Sequence, residues 1–317
     1  MSLQFSDITA ARARIAPHIK RTPVLTNEAL DAELDAQLFF KCENLQAMGA
    51  FKARGAANAI FALSDADAAH GVVTHSSGNH GAAVARAAQR RGIPGYIVMP
   101  NNAPQTKVRN VESYRGKVVF CAPTMTAREE TCARIAAETG AVLVHPFDNY
   151  DVMAGQGTAT LELLEDTPGL DLILCPVGGG GLLCGTAVAA KGVRRAIRIV
   201  GVEPELGDDV AQSFRAKKRI TIPTAPTIAD GLRTSSTGEK NLPLILKHVD
   251  DVVTVSEDAI VAAMREIWER LKIVIEPSCA VPFAAIRAGK VDVTGKKVGL
   301  ILTGGNVDLD QLPWQKL

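Results

Sequence analysis

Hydrophobic positions along the chain follow two alternating patterns. Short apolar runs, many of them rich in β-branched residues, alternate with amphipathic stretches rich in alanine. This alternation is typical of the strands and helices of a parallel α/β sheet. The predicted strands are 72–76, 95–100, 117–122, 141–146, 172–177, 197–203 and 298–304, and the predicted helices are 52–63, 80–91, 126–139, 153–165, 182–191 and 257–271. Residues 204–250 lack strong periodicity, and such a stretch is usually functional or contains short helices.

The composition agrees with a globular protein and argues against several classes of function. Of the 317 residues, 47% are hydrophobic and 22% are charged, and the formal net charge is +1. This balance gives no field that would attract nucleic acid or an anionic membrane. The six cysteines never fall at CxxC spacing, which argues against a zinc ribbon or a thioredoxin-type site. With no secretion signal and no apolar run of membrane-spanning length, we expect a cytoplasmic protein.

Three segments follow predicted strands, at the ends where parallel sheets bind ligands. The first is HSSGNHGAAVA at 75–85, which leads into a helix. The free N–H groups of a helix start suit a carboxylate, although Ser76 or Ser77 acting as a plain N-cap is the alternative. A metal site at His75 and His80 is not supported, because their spacing matches no common ligand pattern.

The second segment is CPVGGGGLLCG at 175–185, which again joins a strand to a helix. Consecutive glycines permit a close backbone approach, and their N–H groups suit a phosphate. The dinucleotide fingerprint GxGxxG does not fit, because Leu183 or Cys184 stands at its third glycine, although Glu203 ends the next strand where a ribose-binding acid would lie. The third segment, LTGGNVD at 302–308, suits either a small ligand or a tight turn.

Lys52 lies within MGAFKARGAANAI, between Gly49 and Gly55 and at the start of a predicted helix. On position alone, most lysines are solvated. A phosphate cradle, a carboxylate cradle and a lysine with small neighbours are together what a pyridoxal 5′-phosphate enzyme needs. The lysine reacts with the aldehyde, the glycine loop holds the phosphate, and a helix start holds the carboxylate of the amino acid.

These segments resemble the serine racemase and serine/threonine dehydratase group of fold type II pyridoxal-phosphate enzymes over essentially the whole chain. The resemblance rests on FKCENLQAMGAFKARGA, THSSGNHGAA, AGQGT, PVGGGGLL, GVEPELGDD, TIADGL, IEPS and LTGGNVD. It implies a two-domain, open parallel-sheet α/β fold of the tryptophan synthase β-subunit type. The large cofactor-binding domain would comprise residues 1–70 and 149–317, and residues 71–148 would form a small mobile domain that closes on the substrate.

The resemblance also implies the residues that contact the cofactor. Lys52 would bond to the aldehyde, Phe51 would pack beside the ring, and Asn79 would bind the 3′-oxygen. The phosphate would be held by Gly178, Gly179, Gly180 and Gly181. Thr303 would face the pyridine nitrogen, where a neutral hydroxyl makes the ring a weaker electron sink than a carboxylate partner would. Elimination at Cβ is then favoured over transamination.

The implied substrate contacts come from the first segment and one arginine. The substrate carboxylate would be bound by the loop that contains Ser76, Gly78 and His80. Arg128 would contact the substrate. Ser77 matches a hydroxyl that faces the opposite side of the ring from Lys52, so a Cα proton can leave on one face and return on the other. This arrangement keeps racemisation possible without requiring it.

The segment GVEPELGDD resembles the divalent-cation site of the racemase-like members. Glu203 and Asp209 would supply carboxylate oxygens and Gly207 a backbone carbonyl, all suited to Mg²⁺, Ca²⁺ or Mn²⁺. A solvated acidic turn without an ion is the alternative. The ion would be structural, because the loop lies outside the reacting centre.

The implied activity is that of an ammonia-lyase that converts L-serine, L-threonine or 3-hydroxyaspartate into a 2-oxo acid. GVEPELGDD and MGAFK are more similar to the racemase and hydroxyaspartate branch, and a second carboxylate would need a cation such as Arg128 or Arg233. One alternative is a serine racemase with dehydratase side activity, and a more distant one is a non-catalytic homologue that binds the cofactor or an amino acid. We expect a homodimer, and no regulatory domain after residue 317.

Overall fold

The computed structural model of the protein describes residues 2–223 and 225–316, and its strands form two sheets. The six-stranded sheet has the order β1-β2-β10-β7-β8-β9, and the four-stranded sheet has the order β5-β4-β3-β6. All neighbouring strands are parallel except β1 and β2. The strands are β1 Val24–Leu25, β2 Gln37–Cys42, β3 Val72–His75, β4 Gly95–Pro100, β5 Lys117–Cys121, β6 Val142–Leu143, β7 Leu172–Pro176, β8 Arg198–Pro204, β9 Asp251–Val255 and β10 Lys297–Leu302.

Helices cover both faces of each sheet, as parallel sheets require. They are α1 Phe5–Ile15, α2 Glu28–Leu34, α3 Lys52–Phe61, α4 Asp65–Ala69, α5 Asn79–Arg91, α6 Gln105–Ser113, α7 Met125–Thr139, α8 Tyr150–Asp166, α9 Gly181–Val193, α10 Asp209–Ala216, α11 Asn241–His248, α12 Glu257–Leu271 and α13 Pro277–Arg287. Short 3₁₀ turns are Glu43–Leu45, Ala47–Gly49, Glu205–Gly207, Asp230–Leu232, Leu309–Gln311 and Pro313–Lys316. None of the helices in the described ranges is long and apolar enough to cross a membrane.

The hydrophobic core is divided among the faces of the two sheets. One large cluster joins the six-stranded sheet to α12 and α13, and another joins its opposite face to α1, α8 and α9. The four-stranded sheet packs against α5 and α6 on one face and against α7 on the other. Helix α3 contacts both α8 and α5, so the helix that begins at Lys52 lies between the two units.

Every predicted strand and helix is present, and two predicted strands are too long. Residues 141–146 form only the two-residue strand β6, because the carbonyl of Val144 accepts hydrogen bonds from the side chains of Thr74 and His80. Residues 298–304 stop being a strand after Leu302, because Thr303 turns to accept the N–H of Phe51.

Several elements were missed by the predictions from sequence. They include β1, β2 and β9 and helices α1, α2, α4, α6 and α13. The predicted short helices in 204–250 are confirmed by α10 and α11. Strands β3 to β6 all fall within residues 71–148, while the exact domain boundaries and the mobility of this unit stay predictions.

Candidate active site

A cavity of about 590 Å³ lies beyond the carboxyl ends of strands from both sheets. Its lining includes segments that follow β3, β6, β7 and β10. The structure brings all the predicted cofactor and substrate residues together in this lining: Phe51, Lys52, Ser76, Ser77, Gly78, Asn79, His80, Arg128, Gly178, Gly179, Gly180, Gly181 and Thr303. Their individual roles stay predictions. The three predicted metal ligands lie outside this lining.

The segment before Lys52 is fixed to the end of β10. The N–H of Phe51 donates to the carbonyl of Thr303 at 2.9 Å, and the N–H of Gly305 donates to the carbonyl of Gly49 at 3.0 Å. Gly49 has a φ of 73°, and a Cβ at this position would lie 2.7 Å from the Oδ1 of Asn306. These contacts explain why glycine precedes the lysine, and they place the start of α3 against the third loop.

The ammonium group of Lys52 is held against a backbone carbonyl. Its Nζ donates to the carbonyl oxygen of Pro146 at 2.8 Å and lies 5.1 Å from the ring centroid of Phe51. Burial lowers the pKa of Lys52 from 10.5 to about 8. Because the neutral amine is the nucleophile, this shift suits a lysine that reacts with an aldehyde.

Gly55 serves helix packing and does not approach a ligand. A Cβ on this residue would lie 2.7 Å from the carbonyl oxygen of Val152, in the facing helix α8. The N–H of Gly55 also donates to the Oε1 of Gln156 at 3.0 Å. The small residues around Lys52 therefore have two separate causes, one at the third loop and one at α8.

A buried ion cluster lies under the start of α3. Arg54 donates to Glu43 at 2.7 Å and to Glu162 at 2.8 Å, and the Nζ of Lys41 contacts Glu162 at 2.7 Å. All four side chains are buried, and their two positive and two negative charges balance. Sequence reasoning missed this cluster, because charged residues within FFKCEN resemble a solvated surface.

The glycine loop after β7 fits a phosphate. Helix α9 begins at Gly181, and its N-cap Gly180 has a φ of 97° and makes no side-chain capping bond among the described residues. The carbonyl oxygen of Gly179 is already occupied, because it accepts a hydrogen bond from the Nδ2 of Asn241 at 2.9 Å. A Cβ at Gly179 would lie 2.3 Å from the ring of Phe147. The first N–H groups of α9 are thus available to an anion, and only glycine fits at this approach.

The loop after β3 forms a second helix start at the cavity. Gly78 is the N-cap of α5, and no side chain of the described ranges caps this helix. The hydroxyl of Ser76 accepts the N–H of Gly78 at 3.3 Å, which is a bond within the loop. The alternative in which Ser76 or Ser77 caps α5 is therefore wrong, and the first N–H groups of the helix can bind a carboxylate.

His80 is buried in the first turn of α5. Its Nε2 contacts the carbonyl of Val144 at 3.0 Å, and burial and the nearby Lys52 hold the pKa of His80 well below 6.5. Since a carbonyl oxygen only accepts, Nε2 carries the proton of the neutral ring. Nδ1 is buried and has no hydrogen-bond partner in the part of the chain that the structure describes. The ring of His80 is therefore neutral, and within the described residues its Nδ1 is an acceptor without a donor.

Glu276 is a cavity residue that sequence reasoning did not assign. Its Oε1 accepts from the Nδ2 of Asn79 at 2.8 Å, and its Oε2 accepts the N–H of Asn306 at 3.2 Å. The Nδ2 of Asn306 donates to the Oδ1 of Asn79 at 2.8 Å. Burial and the nearby Asp230 raise the pKa of Glu276 to about 7. The available signal was a glutamate directly before Pro277, at the start of an apolar helix.

Three further cations line the cavity. Arg128 lies on α7, and its Nε is buried without a hydrogen-bond partner among the described residues. Arg233 is exposed at the cavity, and its Nε donates to the carbonyl of Thr227 at 2.7 Å. Lys107 on α6, which the sequence analysis did not single out, is paired with Asp230. The cavity therefore has cations in excess of the one that the cofactor would use.

The predicted cation ligands meet between β8 and α10. Both oxygens of Glu203 accept backbone N–H groups, from Val210 at 3.2 Å and from Ala211 at 2.7 Å. The Oδ1 of Asp209 accepts the hydroxyl of Thr234 at 3.2 Å. The Oδ2 of Asp209 is buried and lacks a partner within the described ranges.

This pair of carboxyl groups is not a solvated turn, because Glu203 and Asp209 are both fully buried. Burial and the nearby Asp209 raise the pKa of Glu203 well above 4.5, and burial raises the pKa of Asp209 to about 7. Within the described residues, no group of three or more His, Cys, Asp or Glu side chains could hold an ion. The two carboxyl groups and the carbonyl of the buried Gly207 nevertheless offer oxygen ligands of the kind that a hard cation prefers, and such an ion would satisfy the Oδ2 of Asp209.

Comparison with known proteins extends these observations. The sequence profile of pyridoxal-phosphate dependent enzymes matches residues 15–304. A serine racemase of Oryza sativa subsp. japonica is 50% identical over 315 residues, which cover 98% of this chain and 92% of the relative. The beta-hydroxyaspartate dehydratase of Paracoccus denitrificans (strain Pd 1222) is 48% identical over 312 residues, which cover 98% of both chains.

A solved structure also matches this fold over nearly the whole chain. The crystal structure of serine racemase from Dictyostelium discoideum superposes with a TM-score of 0.93 at 44% identity, covering 98% of this chain and 100% of that chain. The predicted α/β fold with parallel sheets is confirmed, and the chain is an enzyme. It belongs to the pyridoxal-phosphate dependent enzyme family and has the fold type II architecture.

Proposed function

We propose that the protein is an ammonia-lyase that acts on a small β-hydroxy amino acid, namely L-serine, L-threonine or 3-hydroxyaspartate. Among these, 3-hydroxyaspartate suits the cavity best. The observation that carries this preference is the set of cations Lys107, Arg128 and Arg233 in the lining, beyond Lys52. The relative from Paracoccus denitrificans that is named a beta-hydroxyaspartate dehydratase supports the same choice.

Pyridoxal phosphate would be held by Lys52, Asn79, Thr303 and the glycine loop 178–181. When bound, it supplies an electron sink next to the Cα atom of the amino acid. The glycine loop fits the phosphate because the start of α9 has no side-chain cap among the described residues, so its first N–H groups can bind an anion. Thr303 is buried in the lining of the cavity, and its hydroxyl would offer a neutral partner to the ring nitrogen.

The reaction follows from how the chain places its own groups. The start of α5 binds the α-carboxylate, and Arg128, whose Nε has no partner among the described residues, contacts the same substrate. Lys52 takes the Cα proton as a general base, and the β-hydroxyl leaves with a proton as water. A second water then replaces the nitrogen, which leaves as ammonia. The net products are a 2-oxo acid and ammonia, with no oxidant or reductant consumed.

The carboxylates of Glu203 and Asp209 would bind a structural Mg²⁺, Ca²⁺ or Mn²⁺ together with the carbonyl of Gly207. The ion would neutralise two buried acids and tie the end of β8 to the start of α10. It would act on stability and not on the chemical step, since none of these residues lines the cavity. A homodimer and a cytoplasmic location also stay predictions.

A serine racemase with dehydratase side activity is the second candidate. It is supported by Ser77, which lines the same cavity as Lys52, and by the name of the rice relative. Ser77 would be the acid or base on the opposite face from Lys52. Replacing Ser77 with alanine should then remove racemisation and leave elimination, because only racemisation needs both groups.

The test is the release of 2-oxo acid from L-serine, D-serine, L-threonine and the stereoisomers of 3-hydroxyaspartate, with Mg²⁺ and then with a chelator. We expect the highest kcat/KM for one isomer of 3-hydroxyaspartate, and no turnover by the Lys52→Ala variant. Faster interconversion of the serine enantiomers than release of any 2-oxo acid would instead establish the racemase. Turnover of serine and threonine alone would leave the extra cations without this role.

A further inference from the structure

An ion pair in the lining of the cavity joins the two sheet units. The Nζ of Lys107 lies 2.6 Å from the Oδ2 of Asp230. Lys107 is on α6, between strands β4 and β5 of the four-stranded sheet, and Asp230 lies between β8 and β9 of the six-stranded sheet. Both residues line the cavity. The wall therefore already contains a contact between an ammonium group and a carboxylate.

The surroundings of this pair place it near the predicted reacting centre. Asp230 raises the pKa of the buried Glu276 and Lys107 lowers it, and all three residues line the cavity. Glu276 in turn accepts a hydrogen bond from Asn79. The side chains of Lys107 and Asp230 are 37% and 40% exposed. An ion pair this exposed is weak, so another carboxylate can replace Asp230 at little cost.

The other cations of the lining differ from Lys107 in their contacts. Lys52 is bonded to the carbonyl of Pro146, and the Nε of Arg233 is occupied by a backbone carbonyl. Arg128 offers its Nε without a partner in the described part of the chain, and it has been assigned above to substrate contact. Among the described lining residues, only Lys107 is in an ion pair with a carboxylate.

We propose that Lys107 is the specificity-determining residue that binds the distal carboxylate of a dicarboxylate amino acid, and that Asp230 occupies this position until the ligand arrives. The inference rests on the proposed function for the identity of the substrate. A monocarboxylate ligand leaves the pair intact. A dicarboxylate ligand exchanges its distal carboxylate for that of Asp230, so Lys107 keeps one negative partner throughout.

This exchange predicts effects of opposite sign for the two partners. Lys107→Met removes the ammonium group and should weaken the binding of dicarboxylates. Asp230→Asn removes the competing carboxylate and should strengthen it. A simple latch between the two sheet units behaves differently, because loss of either partner opens it and changes all ligands in the same direction.

The experiment is isothermal titration calorimetry of the pyridoxal-phosphate-loaded enzyme with succinate and with butyrate. These ligands have equal carbon chains and differ by one carboxylate. For Lys107→Met we expect the Kd of succinate to rise about tenfold relative to that of butyrate, the usual loss for one charged hydrogen bond. Asp230→Asn should lower the Kd of succinate, and Lys107→Arg should restore most of the selectivity.

The matched control is Lys117→Met, which removes an exposed lysine on β5 that does not line the cavity. It should leave both Kd values as in the wild type. The proposal is overturned if the wild type does not prefer succinate, if Lys107→Met leaves the ratio of the two Kd values unchanged, or if both cavity variants shift both ligands in the same direction. Binding of succinate needs no turnover, so a selectivity that depends on Lys107 supports the inference even where 3-hydroxyaspartate is not converted.

Discussion

Asn79 and Glu276 share a hydrogen bond of 2.8 Å that connects the two sheet units across the cavity. Asn79 begins α5 beside the four-stranded sheet, and Glu276 precedes α13 beside the six-stranded sheet. Asn306 holds the other end of the Asn79 amide, again at 2.8 Å. The side-chain amide of Asn79 is predicted to contact the 3′-oxygen of the cofactor, and it is therefore oriented from two sides. Asn306 follows β10, and Glu276 precedes α13.

Glu276→Ala should lower kcat/KM about a hundredfold, because Asn79 loses the acceptor that fixes its amide near the reacting atoms. The dissociation constant of the cofactor, measured from the absorption band of the bound form, should rise as well. Glu266→Ala is the control, since this glutamate lies on α12 in an ion pair with Arg287, remote from the cavity lining. An unchanged kcat/KM in Glu276→Ala would show that Asn79 needs no support.

The lowered pKa of Lys52 should appear in the kinetics of cofactor attachment. Burial lowers this pKa to about 8, so at pH 7 about one molecule in ten carries the neutral amine. The attachment rate of the apoenzyme should rise about tenfold per pH unit up to pH 8 and then level off. A short peptide with one solvated lysine is the control, and its rate should continue to rise. A rise that continues to pH 10 in the enzyme would contradict the buried environment of Lys52.

The close contact between Gly179 and Phe147 predicts that a loss caused by one substitution is partly recovered by a second. Gly179→Ala places a Cβ 2.3 Å from the ring of Phe147, so the phosphate loop must shift and the affinity for the cofactor should fall at least about tenfold. The double variant Gly179→Ala, Phe147→Ala makes room for the methyl group and should recover part of the loss. Equal affinities of the single and double variants would show that the ring does not cause the effect. Equilibrium titration with pyridoxal phosphate measures all three proteins.

The buried carboxyl groups near β8 predict a dependence of stability on pH and on divalent cations. Burial raises the pKa of Asp209 from 3.8 to about 7, so the folded chain binds this proton more tightly than the unfolded chain does. Without a cation, stability should therefore fall as the pH rises from about 4 to about 7 and then stay level. Glu203 is shifted in the same direction by the same cause.

Mg²⁺ should raise the Tm more at pH 7.5 than at pH 5. At pH 5 protons already neutralise the buried carboxyl groups, so Mg²⁺ has to displace them before it can bind. Asp209→Asn is neutral at both pH values and should lose most of this difference. Melting curves with Mg²⁺ or with a chelator give the measurement. A Tm that does not respond to the chelator at pH 7.5 would rule out a cation at Glu203 and Asp209.

The parts of the site that sequence reasoning predicted are those with a local signal. Lys52, the helix start at Asn79 and the glycines from Gly178 to Gly181 each belong to a short segment of unusual composition, and it was their combination and the resemblance to a known family that pointed to the cofactor. The strand–loop–helix context was also readable, since β7 and β10 are nearly continuous apolar runs and β3 begins with two valines.

The parts that were missed depend on contacts between distant segments. Strand β2 contains Lys41 and is followed by Glu43, and both side chains are buried only because Arg54 and Glu162 complete the cluster. Lys107 and Asp230 are 123 residues apart, so no spacing rule joins them. Charged residues that pair over long distances along the chain can be buried, although these residue types normally lie on the surface.

The charge-balanced cluster around Arg54 also limits which substitutions this chain can accept during evolution. Loss of any one of its four charges leaves a buried partner unpaired, which is far more costly than replacing the whole set by apolar residues of similar volume. Substitutions at these four positions are therefore tolerated only when they occur together. We therefore expect the residues at positions 41, 43, 54 and 162 to be retained or replaced together.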